Sequence, residues 1–196
     1  KMYTMYTKPL GQLIRRHGLN YHFYADDTQL YTTFKPNNST SKNTALEQIE
    51  TCLTDIINWM QNNMLKLNND KTEVILFSSK HNSKHVNGIS IKDGDSVITS
   101  SSSVKNLGVT FDSTVSMEHH VNKTCQSALY QLRNIGHIRK YLTNDVAKTL
   151  VCGIVLPKLD YCNSLIGGLP QTTLHKLQLV MNRAARVVTR DRKSVV

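Results

Sequence analysis

The sequence is poor in several things, and each shortage excludes a class of protein. No stretch comes near the roughly 18 consecutive apolar residues that a membrane span needs, so a soluble chain is expected. The start, Lys1-Met2-Tyr3, has no apolar run, and no signal peptide is visible. The four cysteines, Cys52, Cys125, Cys152 and Cys162, form no C-x-x-C pair. Their spacing supports neither a zinc site nor a disulfide framework, and it reads as reduced thiols in the helices of an intracellular protein. Aromatics make up 7% and hydrophobics 39% of 196 residues, which excludes a coiled coil, a collagen and a wholly disordered tail. That length allows one large domain or two small ones, with enough chain for a core.

Acid is scarce in the C-terminal half. Residues 101–196 hold 13 Lys+Arg against 5 Asp+Glu, a net of 13 − 5 = +8, out of +10 for the whole chain. Such a field suits a polyanion such as nucleic acid; on charge alone, a merely basic soluble surface serves equally well.

The expected fold class is α+β to about residue 112, then all-helical. Leu10, Leu13, Ile14 and His17 sit at helical spacing, with Gly18 to close the helix. Residues 21–34 are rich in β-formers on both sides of Asp26-Asp27, which predicts a hairpin with the acids at or beside its turn. Thr44-x-x-Glu47 reads as a capping box opening a helix with Leu46, Ile49, Leu53, Ile56, Ile57 and Met60 on one face. That helix should end near Asn62-Asn63, before a short extended Leu65-Lys66-Leu67, a turn at residues 68–71 and a strand over 73–77. A second hairpin is expected over 89–99 with its turn at Asp93-Gly94. Ser100–Ser103 reads as a loop too short to link domains, and Val104–Phe111 as one strand interrupted by Gly108. Three helices follow. Their apolar residues are Val121, Cys125, Ala128, Leu129, Leu132 and Ile135; then Val146, Leu150, Val151 and Ile154 behind a cap at Thr143 or Asn144; then Leu174, Leu177, Met181, Ala184 and Val188.

Two adjacent aspartates beside a turn repel one another and point apart if both lie in a strand. A divalent cation removes that cost. Mg²⁺ takes oxygen ligands, often one or two carboxylates, and completes its octahedron with water and phosphate. A solvated acidic turn is the plain alternative. The aromatic hairpin and the basic chain favour the metal.

Tyr24-Ala25-Asp26-Asp27 resembles the YADD signature of reverse transcriptases, and Thr28-Gln29-Leu30-Tyr31 resembles its LINE-type, non-LTR retrotransposon branch. Two more blocks follow in the family's order. Trp59-Met60-x-x-Asn63-x-Leu65-Lys66-Leu67-Asn68-x-x-Lys71-Thr72-Glu73 resembles motif D, and Val104-Lys105-Asn106-Leu107-Gly108-Val109-x-Phe111-Asp112 resembles motif E, the primer grip. The helices from residue 117, through Leu156–Tyr161 to Asn182–Arg186, resemble the region beyond the polymerase core, thumb included.

The resemblance implies three parts: the C-terminal half of a palm at 1–79, a hairpin and primer-grip strand at 80–112, and a helical thumb-like region at 113–196. It implies Asp26 and Asp27 as catalytic metal carboxylates, Asp26 foremost, binding Mg²⁺ or Mn²⁺. It implies Lys71 as a catalytic lysine near the nucleotide phosphates, giving a proton or positive charge to the leaving pyrophosphate. Leu107 and Gly108 are implied in the primer grip. The implied partners are an RNA template, a DNA primer and deoxynucleoside triphosphates, with no membrane, in the nucleus or cytoplasm. On spacing alone, Lys176, Arg183, Arg186 and Arg190 fall on one helix face that could follow a phosphate backbone.

The family also has a third carboxylate on an earlier strand, a glycine-containing pocket block and a fingers region, all ahead of the YADD hairpin. Only 23 residues precede Tyr24 here, none acidic. The chain therefore reads as a partial polymerase, expected to be inactive alone. The alternatives are a non-enzymatic nucleic-acid-binding module and a pseudogene-derived product. His81 and His85 read as surface residues, and His119-His120 as structural.

Overall fold

A computed structural model describes residues 6–82, 88–93 and 96–191. The fold is α+β followed by helices, as expected. It divides into two compact units, Lys1–Ser102 and Ser103–Val196. The division falls inside the serine run that reads as a loop too short to link domains. There is no such loop. Ser100 and Ser101 end one strand, Ser103 begins the next, and a single bend at Ser102 separates them.

In the first unit, helix α1 (Lys8–Arg16) leads into the antiparallel pair β1 (Asn20–Tyr24) and β2 (Asp27–Tyr31). Gly18, at φ +71, closes α1 in the left-handed conformation that glycine adopts at little cost. Helix α2 (Ser39–Asn62) starts five residues earlier than Thr44. Its cap is Asn38, whose Oδ1 accepts from the Ser41 amide at 3.0 Å, so Thr44 and Glu47 lie inside the helix and form no capping box. Met64, at φ +57, follows the C-cap Asn63.

Leu10, Ile14, Leu19, Cys52 and Ile56 form the core of this unit, flanked by Tyr21, Phe23, Leu30 and Trp59. The centre of the α2 face is thus Cys52 with Ala45, while Leu46, Leu53 and Ile57 flank it half-buried. Burial, then the charge of Asp55, pushes the Cys52 thiol up to about 11, and it packs as a small hydrophobe. His17 and Asp55, 2.8 Å apart, join the end of α1 to α2.

Residues 65–68 are irregular, and only Val74–Ile75 (β3) of the expected 73–77 strand pairs. β3 lies parallel to β5 (Ser96–Ser101), which pairs antiparallel with β4 (Ser90–Asp93). The expected hairpin exists, but Asp93 ends β4 opposite Ser96, and Gly94 lies outside the described residues. Glu50 of α2 accepts from the Lys92 amide on the outer side of β4 at 2.9 Å, which satisfies a donor on an otherwise open edge.

The second unit opens with a hairpin, β6 (Ser103–Asn106) and β7 (Val109–Asp112), where one interrupted strand is expected. The reason is local. Leu107 and Gly108 both have positive φ, +46 and +83, the twist that a two-residue hairpin turn needs. Helix α3 (Glu118–Ile138) follows. A helical run then passes through α4 (Asn144–Leu150), a π turn (Val151–Val155) and α5 (Leu156–Asp160). Pro157 explains the π turn: it has no N–H to give to the Gly153 carbonyl four residues back, and its ring needs room there. Thr143 caps α4 through the Val146 amide. The short α6 (Asn163–Ile166) and the long α7 (Gln171–Thr189) complete the unit. Cys162 is not helical; it sits in a left-handed turn between α5 and α6, at φ +57.

The core of this unit joins α3, the π turn and α7: Val121, Cys125, Ala128, Leu132, Ile135, Val151, Val155, Val180 and Ala184. Ala147 and Val155 are buried where Val146 and Ile154 were expected, and Val180 where Met181 was. Arg139 is 7% exposed and ties the helix ends together. Its guanidinium donates to the carbonyls of Val187 (2.6 Å), Val188 (2.7 Å) and Leu142 (2.8 Å) and to Asn144 Oδ1 (2.5 Å). Those carbonyls include the unsatisfied end of α7. No described helix is long and apolar enough to cross a membrane.

Candidate polymerase site

The β1–β2 register places the two aspartates differently. Tyr24 pairs with Asp27, so the turn is Ala25-Asp26 and Asp27 is the first residue of β2. Ala25 has φ +52, a left-handed conformation that costs a residue with a Cβ roughly 1–2 kcal/mol. That strain sits at the tip that carries the acids, where backbone strain tends to collect at functional sites. Behind the tip, the hairpin is anchored. Tyr21 and Phe23 pack with ring centroids 4.7 Å apart and planes tilted by 41°, and Arg15 lies 5.4 Å from the centroid of the Tyr21 ring. Tyr21 also crosses α1 at Gly11, where a Cβ would lie 2.5 Å from the phenol oxygen, so any larger residue there would have to displace the ring.

Asp26 and Asp27 are both exposed, and neither carboxylate accepts a hydrogen bond from a described residue. Among the described residues, no group of three or more His, Cys, Asp or Glu is placed to hold a metal ion. Two open carboxylates fit Mg²⁺, which commonly takes one or two from protein and the remainder from water and phosphate.

Lys71 is exposed at the end of a 3₁₀ turn (Asn69–Lys71), and the Lys71 amide bonds to the Asn68 carbonyl at 3.1 Å. No hydrogen bond or ion pair joins it to either aspartate.

Leu107 and Gly108 come together as the β6–β7 turn. Tyr161, at the end of α5, covers it. Its hydroxyl donates to the Leu107 carbonyl at 2.5 Å, and a Cβ on Gly108 would lie 3.3 Å from the ring. Sequence reasoning missed this brace, because 54 residues separate the partners.

It also missed the loop after β7. Asp112 accepts from the Thr114 amide (3.0 Å) and hydroxyl (2.7 Å), the Ser116 amide (3.0 Å) and hydroxyl (3.0 Å), and the Met117 amide (2.9 Å). Burial works to raise its pKa; the hydrogen bonds from Ser116 and Thr114 outweigh that and hold the carboxyl well below the usual range. They also hold Val115 and Met117 at φ +53 and +57. An Asp followed by Ser, Thr and Ser is the available signal for such a turn.

The basic stripe is divided. Lys176 Nζ donates to Glu118 Oε1 at 3.2 Å and to Asn122 Oδ1 at 3.0 Å. Arg190 lies one residue past α7, at φ +60, and donates to the Leu142 carbonyl at 2.9 Å. Arg183 is exposed and Arg186 half-buried, and no ion pair with a described acid engages either. His81 is exposed, and His85 lies outside the described residues. His120 is buried, its Nδ1 3.4 Å from the Thr110 amide, a structural role as expected.

Residues 2–111 match the family described as reverse transcriptase (RNA-dependent DNA polymerase). The match spans more than half of the 196 residues, and the chain belongs to that family. Neither a curated protein nor a solved structure matches it.

Proposed function

We propose that this chain is the part of a non-LTR, LINE-type reverse transcriptase that carries the second set of catalytic carboxylates, the primer grip and a thumb-like helical region. The observation that carries the reading is the hairpin tip, with two open carboxylates beside a strained Ala25 inside the matched residues. In this reading Asp26 and Asp27 hold Mg²⁺ or Mn²⁺, with Asp26 the direct ligand. A divalent ion bound there supplies positive charge to the nucleotide phosphates and lowers the pKa of the attacking 3′-hydroxyl. The exposed Lys71 ammonium gives a proton or charge to the departing pyrophosphate. The Leu107–Gly108 turn brings backbone close to the primer end, with Tyr161 behind it. Arg183 and Arg186, with Lys176 and Arg190 beside them, take phosphates of the RNA template and DNA primer.

Primer extension on an RNA template with deoxynucleoside triphosphates tests the whole reading. The 196-residue chain alone is expected to give no product, because two carboxylates on one hairpin do not hold two ions in register. Product that disappears with Asp26→Asn overturns the expected inactivity and keeps the assignment. Manganese binding tests the site itself: Mn²⁺ should broaden the amide resonances of residues 25–28, and Asp26→Asn should abolish the broadening. Broadening unchanged in that variant removes the metal assignment.

The +8 charge of residues 101–196 favours a second reading, nucleic-acid binding without catalysis. Salt-sensitive binding that is indifferent to Asp26→Asn, in a chain that binds no Mn²⁺ at the hairpin, selects it.

A further inference from the structure

We propose that the outer face of α3 is a binding surface for single-stranded nucleic acid, with phosphates on Lys123 and Arg133 and a base stacked on Tyr130. Helix α3 lies beyond the family-matched residues 2–111, so the match assigns it nothing. The inference rests on the nucleic-acid reading for the kind of partner and on α3 itself for the place.

The core side of α3 is Val121, Cys125, Ala128, Leu132 and Ile135. On the side away from the core, His119, Lys123, Gln126, Tyr130, Arg133 and His137 repeat at intervals of 4, 3, 4, 3 and 4 residues. Two turns of helix take about seven residues, so this spacing keeps all six on one stripe. All six are exposed. From His119 to His137 the stripe is about 27 Å long, at 1.5 Å per residue.

Its chemistry is one-sided. No acidic residue occurs between Glu118 and Asp145. Glu118, at the N-terminal end, already engages Lys176 at 3.2 Å. No ion pair with a described acid neutralises Lys123 or Arg133. Tyr130, between them and one turn from Arg133, is 60% exposed and presents a large ring to solvent. Just beyond the helix, Tyr141 is 76% exposed and carries Lys140 4.7 Å from its ring centroid. What sets these two rings apart is their neighbours: Tyr130 lies between Lys123 and Arg133, and Tyr141 lies beside Lys140. A groove-free stripe of cations with interleaved rings suits a flexible strand, whose unstacked bases can lie flat on tyrosine while its phosphates meet the flanking charges. A duplex hides its base faces and engages only the charges.

Compared with this face, Lys176 on α7 and Arg190 just past its end are committed to contacts within the unit. Among the described residues, no hydrogen bond or ion pair engages Lys123 or Arg133.

The test uses the full 196-residue chain, a fluorescein-labelled oligouridylate, and an RNA duplex of the same length, titrated at several salt concentrations. Lys123→Gln with Arg133→Gln should flatten the logarithmic salt dependence for the single strand by about 1.4, at roughly 0.7 per lost phosphate contact. Tyr130→Ala should weaken single-strand binding about tenfold and leave duplex binding unchanged. All three side chains are exposed, so thermal unfolding of the variants should match that of the parent, confirming that the loss is at the surface. If the chain binds RNA but only Arg183→Gln with Arg186→Gln weakens it, the α3 surface is overturned and the nucleic-acid reading stands. If Tyr130→Ala weakens duplex and single strand alike, the base-stacking role is overturned. If the parent chain binds neither probe, the surface and the nucleic-acid reading fall together.

Discussion

The Tyr161 hydroxyl donates to the Leu107 carbonyl at 2.5 Å and lays its ring against Gly108, 54 residues away in the sequence. One side chain thereby holds both halves of a turn whose residues are left-handed. The turn resembling the primer grip is thus supported from behind by the helical region that follows it. Tyr161→Phe removes the hydrogen bond and keeps the ring, and should cost about 1 kcal/mol in urea unfolding. Gly108→Ala forces a Cβ into positive φ and toward the ring, and should cost about 2 kcal/mol. A Gly108→Ala variant as stable as the parent would mean that the turn is free to change conformation.

At the hairpin tip the opposite substitution is informative. Ala25→Gly relieves the φ +52 strain, offset by the greater freedom of glycine in the unfolded chain. A net stabilisation on the order of 0.5 kcal/mol is expected by chemical denaturation. Weaker Mn²⁺ binding in the same variant would indicate that the strained backbone sets the direction of the carboxylates.

Asp112 is the most heavily used carboxylate among the described residues, with five donors aimed at it. Asp112→Ala leaves those donors unsatisfied and should cost about 3 kcal/mol. Because its folded pKa is lowered, its contribution is fully present above the unfolded value, near 4, and is lost as pH falls below it. Acid unfolding of Asp112→Asn should therefore show a weaker pH dependence below about pH 4 than the parent does.

His120 gives a second pH signature. Burial lowers its pKa, so the unfolded chain binds its proton more readily than the folded one. Its contribution is full above the unfolded value, about 6.5, and stability falls as pH drops through that value toward the folded one. Thermal melts between about pH 7 and pH 5 should show the loss, and His120→Gln should flatten it. A parent whose melting temperature is flat across that window would place His120 in water.

Helices α1, α2, α3 and α7 are legible in the sequence because apolar residues recur at their 3.6-residue period, and the hairpin because β-formers flank a pair of turn acids. The expected faces of α1 and α3 are the buried ones; on α2, α4, the π turn and α7 periodicity misjudges some of the buried positions. Bulky Leu46, Leu53, Ile154 and Met181 suggest themselves, yet Ala45, Cys52, Ala147, Val155 and Val180 occupy the buried positions. Small residues let neighbouring helices approach closely, and the large ones close the sides. Helix α2 starts ahead of Thr44 because Asn38, two residues after Pro36, accepts from the free Ser41 amide.

The sequence by itself determined the family, through three ordered blocks, and the adjacency of Asp26 and Asp27, because neighbours in the chain are neighbours in space. It also determined the charge imbalance between the two halves. Only the tertiary structure decided that Gly108 belongs to a hairpin turn under Tyr161, that Lys176 and Arg190 are engaged within their own unit, and that no described acid pairs with Lys123 or Arg133 of α3. The physical reason is range. Backbone conformation and periodicity are set by residues a few positions apart, whereas a hydrogen bond or an ion pair depends on side chains that only folding brings within about 3 Å.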